Sequence, residues 1–338
     1  MIKKLSLLLT LTLLLLVGGY WYVTKQVESL LSQPLNLEQE QIFTVKSGTS
    51  YHGLVRELEK NNWLQPNDMH PIVRRLHPEL MAIRAGTYLV AENTSFQSLL
   101  AQLVEGKEHQ FSITFVEGSR FSEWLDELQA APHLEIKTDQ MSEKAIADAL
   151  GLKQQKLEGL FLAETYSYTS GDSDLDILKR ANLKLQKVLD KHWLDRQDNL
   201  PLKTPYEALI LASIIEKETA VDEERERVAS VFVNRLNKRM RLQTDPTVIY
   251  GMGENYDGNI RKKDLRQRTD YNTYVIFGLP PTPIAMAGEA SIAAALQPEA
   301  SDYFYFVASG DGDHVFSKTL TEHNRAVRAY LKKLRSRK

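Results

Sequence analysis

Residues 204–220 read TPYEALILASIIEKETA. Thr204, Pro205 and Glu207 form a helix start: a capping threonine, a proline at the first helical position, and a glutamate three residues after the cap. An apolar run follows as far as Ile215, and two carboxyls, Glu216 and Glu218, then flank Lys217. At ~100° per residue, Leu211, Ile214 and Ile215 share one helix face. Glu218 continues that stripe, while Glu216 points away, toward the side of Leu209 and Ala212. The pattern aims Glu218 at the interior, or at a cleft floored by the interior. Burial disfavours a charged carboxylate and raises its pKa, and a carboxyl still protonated near neutral pH is what a general acid requires. The competing expectation is structural, an interior ion pair between Glu218 and Arg225 or Arg235.

Working outward, VDEERERVASVFVNRLNKRM reads as a second helix, with Asp222, Glu223 and Glu224 in the first turn, where the helix dipole favours acids. Beyond it come RLQTDPTVIYG, TDYNTYVIFGLPPTPIAMAG, a helix ASIAAALQP, a strand DYFYFVAS, a turn GDGDH and a closing helix EHNRAVRAYLKKLR. These segments are rich in side chains that bind sugars: Asn234, Gln243, Asp245, Tyr271, Asn272, Tyr274, His323 and Asn324. Taken one at a time, each has an ordinary use as a turn or cap residue. Upstream, DSDLDILKRANLKLQKVLDKHWLD is a long amphipathic helix, and LEGLFLAETYSY is aromatic and apolar with Glu158 and Glu164 embedded in it. SEKAIADALGL opens with Ser142 as its cap, and SFQSLLAQLVEG is a capped helix. IFTVKSG, YHGLVRELEKNNWL, MHPIVRRLHPEL and IRAGTYLV read as strand, helix, helix and strand, a compact α+β module. Residues 24–41, TKQVESLLSQPLNLEQEQ, are polar, broken by Pro34, and read as a stalk.

The N-terminus, MIKK followed by LSLLLTLTLLLLVGGYWYV, carries an uncharged run at residues 5–23. At ~1.5 Å per residue it can span a hydrocarbon core of about 30 Å. Lys3 and Lys4 precede it, which places the N-terminus in the cytoplasm, and Tyr20, Trp21 and Tyr22 suit the interfacial belt on the far side. The alternative is a cleaved signal peptide; bulky aromatics directly after Gly18-Gly19 favour an uncleaved anchor. The chain has 338 residues, 43% of them apolar, enough for two domains or one large domain with an appendage. A net charge of −2, with no strongly basic stretch, argues against nucleic acid as a partner. The absence of cysteine excludes thiol catalysis, thiolate metal sites and disulfides. No H-E-x-x-H, nucleophile elbow or dinucleotide fingerprint occurs, and Asp311-Gly312-Asp313 lacks the continuation of a calcium loop, so neither a metal nor a cofactor is expected.

The runs LILASIIEKETA, RVASVFVNRL, LQTDPTVIYG, YNTYVIFGLPPTPIA and HVFSKTLTEHN, with LEGLFLAETYSY upstream, resemble the membrane-anchored endolytic murein transglycosylases of the YceG-like family, in the family's order and over nearly the whole chain. The resemblance implies an α+β fold in four parts: an anchor at 1–24, a linker at 25–41, a LysM-like glycan-binding subdomain at 42–91 and a larger mixed α+β catalytic domain at 92–338. It implies a lyase that cuts the β-1,4 bond from N-acetylmuramic acid to N-acetylglucosamine within peptidoglycan strands, at the periplasmic face of the inner membrane. Peptidoglycan synthases (penicillin-binding proteins) are the implied protein partners. The family's catalytic glutamate is the second of E-K-E-T, here Glu218; Asn234, Gln243, Asp245, Tyr271, Asn272, Tyr274 and Asn324 become candidates for substrate binding. The chain departs from the family at Thr282 and Met286, where glycine and proline are common, and at Ala163-Glu164, where proline and aspartate are usual. The alternatives are a non-catalytic glycan-binding scaffold that recruits synthases, and a metal-dependent amidase.

Overall fold

A computed structural model describes residues 2–337, and its contacts divide the chain into two compact units, Met1–Phe111 and Ser112–Lys338. The mixed α+β class expected from the sequence is what it shows, with three two-stranded sheets among the described residues.

The first unit begins with α1 (Ile2–Ser32), whose segment Lys3–Ser32 is long and apolar enough to cross a membrane. It continues through β1 (Gln41–Val45), α2 (Tyr51–Lys60), α3 (His70–Leu76), β2 (Gly86–Val90) and α4 (Phe96–Glu105). β1 and β2 pair antiparallel, with Gln41 opposite Val90 and Val45 opposite Gly86. Phe43 and Val45 turn inward onto Leu54, Leu58, Tyr88 and Val90. The polar segment at 24–41 is not a stalk. α1 runs on to Ser32, and Val27, Leu30 and Leu31, at helical spacing, are buried in this core together with Leu35 and Leu37. Phe96, Leu99, Leu100 and Leu103 join the same core, so α4 belongs to this unit, which ends at Phe111 rather than near residue 91.

The second unit contains β3 (Phe111–Thr114), whose first residue closes the first unit, then α5 (Phe121–Ala130), α6 (Glu143–Leu150), β4 (Thr165–Tyr168) and α7 (Asp174–Leu194). α8 (Pro205–Glu218), α9 (Asp222–Asn237), α10 (Asp245–Met252) and α11 (Glu289–Leu296) follow, and β5 (Tyr305–Ala308), β6 (His314–Ser317) and α12 (Leu320–Ser336) close the chain. β3 lies beside β4, and β5 pairs antiparallel with β6, a strand at HVFS that the sequence pattern does not announce.

α8 is the central helix of this unit. Thr204 accepts a hydrogen bond from the Glu207 amide, as the cap pattern requires, while the Glu207 carboxylate reaches the Lys203 amide instead of closing the box on Thr204. Every residue from Ala208 to Ile215 is buried. Such a helix has no solvent face along that stretch, so a stripe of Leu211, Ile214 and Ile215 does not distinguish an inner side there. Ser213 is satisfied internally: its hydroxyl donates to the Ile210 carbonyl at 2.8 Å and accepts from the Ile284 amide at 3.0 Å. That second bond fixes the PPTPIA segment against α8. Gly159 stands where the same segment meets the one before β4: its φ is +75°, and a Cβ there would lie 2.3 Å from the Pro283 Cβ. Only glycine meets both demands.

Candidate active site

A cleft of about 440 Å³ opens at the C-terminal end of α8. Glu218 is the last helical residue, and Thr219 leaves the helix in an extended conformation, φ −144°. The three polar residues of the last turn then go three ways. Glu216 accepts from the Gly288 amide at 3.0 Å and so holds the start of α11. Lys217 donates to the Gly118 carbonyl at 2.9 Å. Glu218 alone enters the cleft, half-buried.

Opposite Glu218 lies the start of α10. The Thr244 hydroxyl donates to Glu218 Oε1. Thr244 is held by a cluster of threonines: its amide donates to Thr273 Oγ1 at 3.1 Å, and its carbonyl accepts from Thr247 Oγ1 at 2.7 Å. Asp245, the next residue, accepts from the Tyr274 hydroxyl at 2.7 Å. Gln243, just before, has φ +52°, a backbone conformation few non-glycine residues adopt. Backbone strain of this kind concentrates at functional sites.

Burial pushes the Glu218 carboxyl up to about 7. The Thr244 hydrogen bond opposes that rise, the Asp245 charge adds to it, and His314 and Arg235 oppose it more weakly. No ion pair to Glu218 is present among the described residues. Arg225 pairs with Asp222 at 2.5 Å. Arg235 lines the cleft but gives its donors to the carbonyls of Phe304, at 2.6 Å, and Leu242, at 2.9 Å. The structural expectation, an interior ion pair, is therefore not what holds Glu218.

The cleft gathers Glu218, Gln243, Asp245 and Tyr274, together with His323. Three of the remaining sugar-type candidates, Asn234, Tyr271 and Asn272, have internal work. Asn234 donates to the carbonyls of Ser301, at 2.9 Å, and Tyr303, at 3.0 Å, holding the approach to β5. Tyr271 hydrogen-bonds to Thr282 at 2.8 Å and packs its ring on Tyr250. Asn272 is buried and donates to the carbonyls of Asp264 and Gln267, closing a turn. Asn324 is exposed on α12 and does not line the cleft. Glu164 is exposed and ion-paired with Lys184. Sequence reasoning missed Thr244, whose only signal is its place before the Asp-Pro that opens α10, and the wall made by Tyr305, Phe306 and Val307 on β5. Among the described residues, no group of three or more His, Asp or Glu is placed to hold a metal ion.

The model of the YceG-like family matches residues 43–329. The chain is 30% identical over 343 residues to the endolytic murein transglycosylase of Bacillus subtilis (strain 168), covering 94% of this chain and 91% of that protein. It is 24% identical to the endolytic murein transglycosylase of Streptococcus pneumoniae (strain D39), over 93% of this chain and 62% of that longer protein. A crystal structure of a YceG-like protein from Listeria monocytogenes superposes with a TM-score of 0.53 at 29% identity, covering 86% of this chain and 99% of the other.

Proposed function

Because the chain belongs to the YceG-like family, we propose that it is an endolytic murein transglycosylase in which Glu218 alone performs the acid–base chemistry. The observation that carries this is the state of Glu218: a half-buried carboxyl in a cleft, free of ion pairs among the described residues, with its pKa raised to about 7. An ordinary glycosidase needs a second free carboxylate as nucleophile or base. Among the described residues, the one other carboxylate lining this cleft is Asp245, and it accepts from the Tyr274 hydroxyl.

The reaction then proceeds on one residue. Glu218 donates its proton to the bridging oxygen of the β-1,4 link, and the bond from that oxygen to C1 of N-acetylmuramic acid breaks. The sugar's own acetamido group stabilises the cationic carbon. Glu218, now a carboxylate, removes the proton of the 6-hydroxyl, and O6 bonds to C1. The product is a 1,6-anhydro end and a free 4-hydroxyl, with Glu218 reprotonated and no water consumed. A pKa about 7 suits both halves, since the same group must give and then take a proton.

Further parts of the proposal rest on the first unit. The order β1, α2, α3, β2 supports a LysM-like module that binds glycan. α1 supports a single-pass anchor with its N-terminus in the cytoplasm and the chain that follows it on the outer side of the inner membrane. An enzyme tethered there meets glycan as it is polymerised, which supports a role in ending nascent strands beside peptidoglycan synthases.

Mass spectrometry of digested glycan strands tests the core of this. Wild-type protein is expected to release anhydromuramyl ends, and Glu218→Gln to release none while remaining folded. Anhydro ends from the purified Glu218→Gln variant would remove Glu218 from its assigned role.

A further inference from the structure

His323 lines the cleft from the first turn of α12 but forms none of the contacts that hold Glu218. Its backbone is firmly placed. Thr319 and Glu322 form a reciprocal capping box, and the His323 amide donates to the Thr319 carbonyl at 3.0 Å. The imidazole stacks on Tyr305, with ring centroids 5.2 Å apart at 26°. The Arg235 guanidinium lies 5.1 Å from the centroid of the same Tyr305 ring. Burial lowers the pKa of His323, and the Arg235 charge lowers it further, both favouring the neutral ring.

A neutral imidazole has one N–H and one lone pair. Nδ1 is buried without a hydrogen-bond partner among the described residues. Leaving a buried lone pair unpaired is better tolerated than orphaning a buried N–H. The proton therefore belongs on Nε2, the ring nitrogen that is not among the buried unpartnered atoms. A histidine whose side chain makes no hydrogen bond to the protein serves the fold only through its stacked ring, and phenylalanine would stack as well. The donor has no partner in the fold, and it belongs to a side chain on the wall of the cleft that holds the acid.

We propose that His323 is a substrate-positioning residue, whose Nε2–H donates to a hydroxyl or carbonyl oxygen of the glycan strand while the Tyr305 wall carries its ring. The proposal rests on the transglycosylase reading for the identity of the strand, and on the cleft geometry for the role.

Two substitutions separate ring from donor. His323→Phe keeps the stack and loses the donor; His323→Gln keeps a donor and loses the ring. Each is placed in the full-length Glu218→Gln protein, and the affinity for soluble, peptide-free glycan strands is measured by calorimetry, with thermal melting as the folding control. The expected result is about fivefold to tenfold weaker binding for His323→Phe, the loss of one hydrogen bond, with His323→Gln close to the parent. In the active enzyme, His323→Phe is expected to raise KM while leaving kcat within about threefold. Binding by His323→Phe equal to the parent overturns the proposal, and so does equal loss in both variants, which would assign the effect to the ring. If wild-type protein yields no anhydro ends, the transglycosylase reading falls, yet the binding comparison in the Glu218→Gln background still decides the role of His323.

Discussion

Thr244 Oγ1 donates a hydrogen bond to Glu218 Oε1 across the cleft, from the residue preceding α10 to the last residue of α8. This bond favours the charged carboxylate, while the burial of Glu218 favours the neutral acid, and burial prevails. The proposed acid step requires the proton, so activity is expected to fall as pH rises through about 7. Thr244→Val removes the bond and keeps the shape. The alkaline limb of the kcat/KM profile is expected to move up by about one pH unit, the worth of a hydrogen bond to a charged group. A limb that stays in place or moves down contradicts this balance.

Asp245 acts with the opposite sign. Its charge helps to hold the Glu218 proton. Asp245→Asn is expected to move the alkaline limb to lower pH and to reduce the rate at pH 7, with a smaller effect at about pH 5.5, below the limb. The Tyr274 hydroxyl, 2.7 Å from Asp245, loses a charged acceptor in this variant, so melting temperatures are compared alongside.

The two glutamates of α8 are separable by experiment. Glu216 holds the Gly288 amide at the start of α11, outside the cleft. Glu216→Ala is expected to cost about 1 kcal/mol of stability, read by denaturant unfolding, while anhydro product formation persists. An inactive but fully stable Glu216→Ala protein would reverse the assignment of the two residues.

A second buried carboxyl responds to pH without entering the cleft. Glu158 accepts from the Phe121 amide at 3.0 Å, and burial pushes its pKa up to about 7. A folded-state value above the unfolded one means that the native state binds the proton more tightly. The stabilisation is complete below the ordinary carboxyl range and is lost as pH rises through about 7. Glu158→Gln is expected to flatten the fall in stability between about pH 5 and 8 by up to about 3 kcal/mol. Parallel stability curves for the two proteins would show that Glu158 does not titrate in this window.

The segment at 24–41 contributes to the core of the first unit. Val27, Leu30, Leu31, Leu35 and Leu37 are buried there. A chain shortened to begin at residue 24 is expected to keep the unit folded, whereas one beginning at residue 41 loses those core side chains. Each large-to-small core change alone costs about 2–5 kcal/mol, so the shorter chain is expected to show no cooperative unfolding of this unit. Equal melting of the two shortened chains would return the segment to the status of a linker.

Most elements are legible in the sequence. Local signals suffice for these: Thr204 caps α8, Ser142 caps α6, the acids at 222–224 open α9, and the uncharged run at 5–23 appears in α1. Those features depend on neighbours within a turn or two of the chain. The features that only the folded chain settles involve partners far apart in sequence. α8 is buried on every side through Ile215, so its own periodicity could not orient Glu218. The departures of Lys217 to Gly118, Glu216 to Gly288 and Thr244 to Glu218 do that. Asn234, Tyr271 and Asn272 look like sugar ligands in the sequence because amides and phenols serve turns and saccharides equally well; the fold gives them carbonyl and hydroxyl partners of their own. The polar segment after the apolar run looks like a stalk because its few leucines are spaced among glutamates and glutamines. Only the packing of β1, β2 and α4 against them turns those leucines into core.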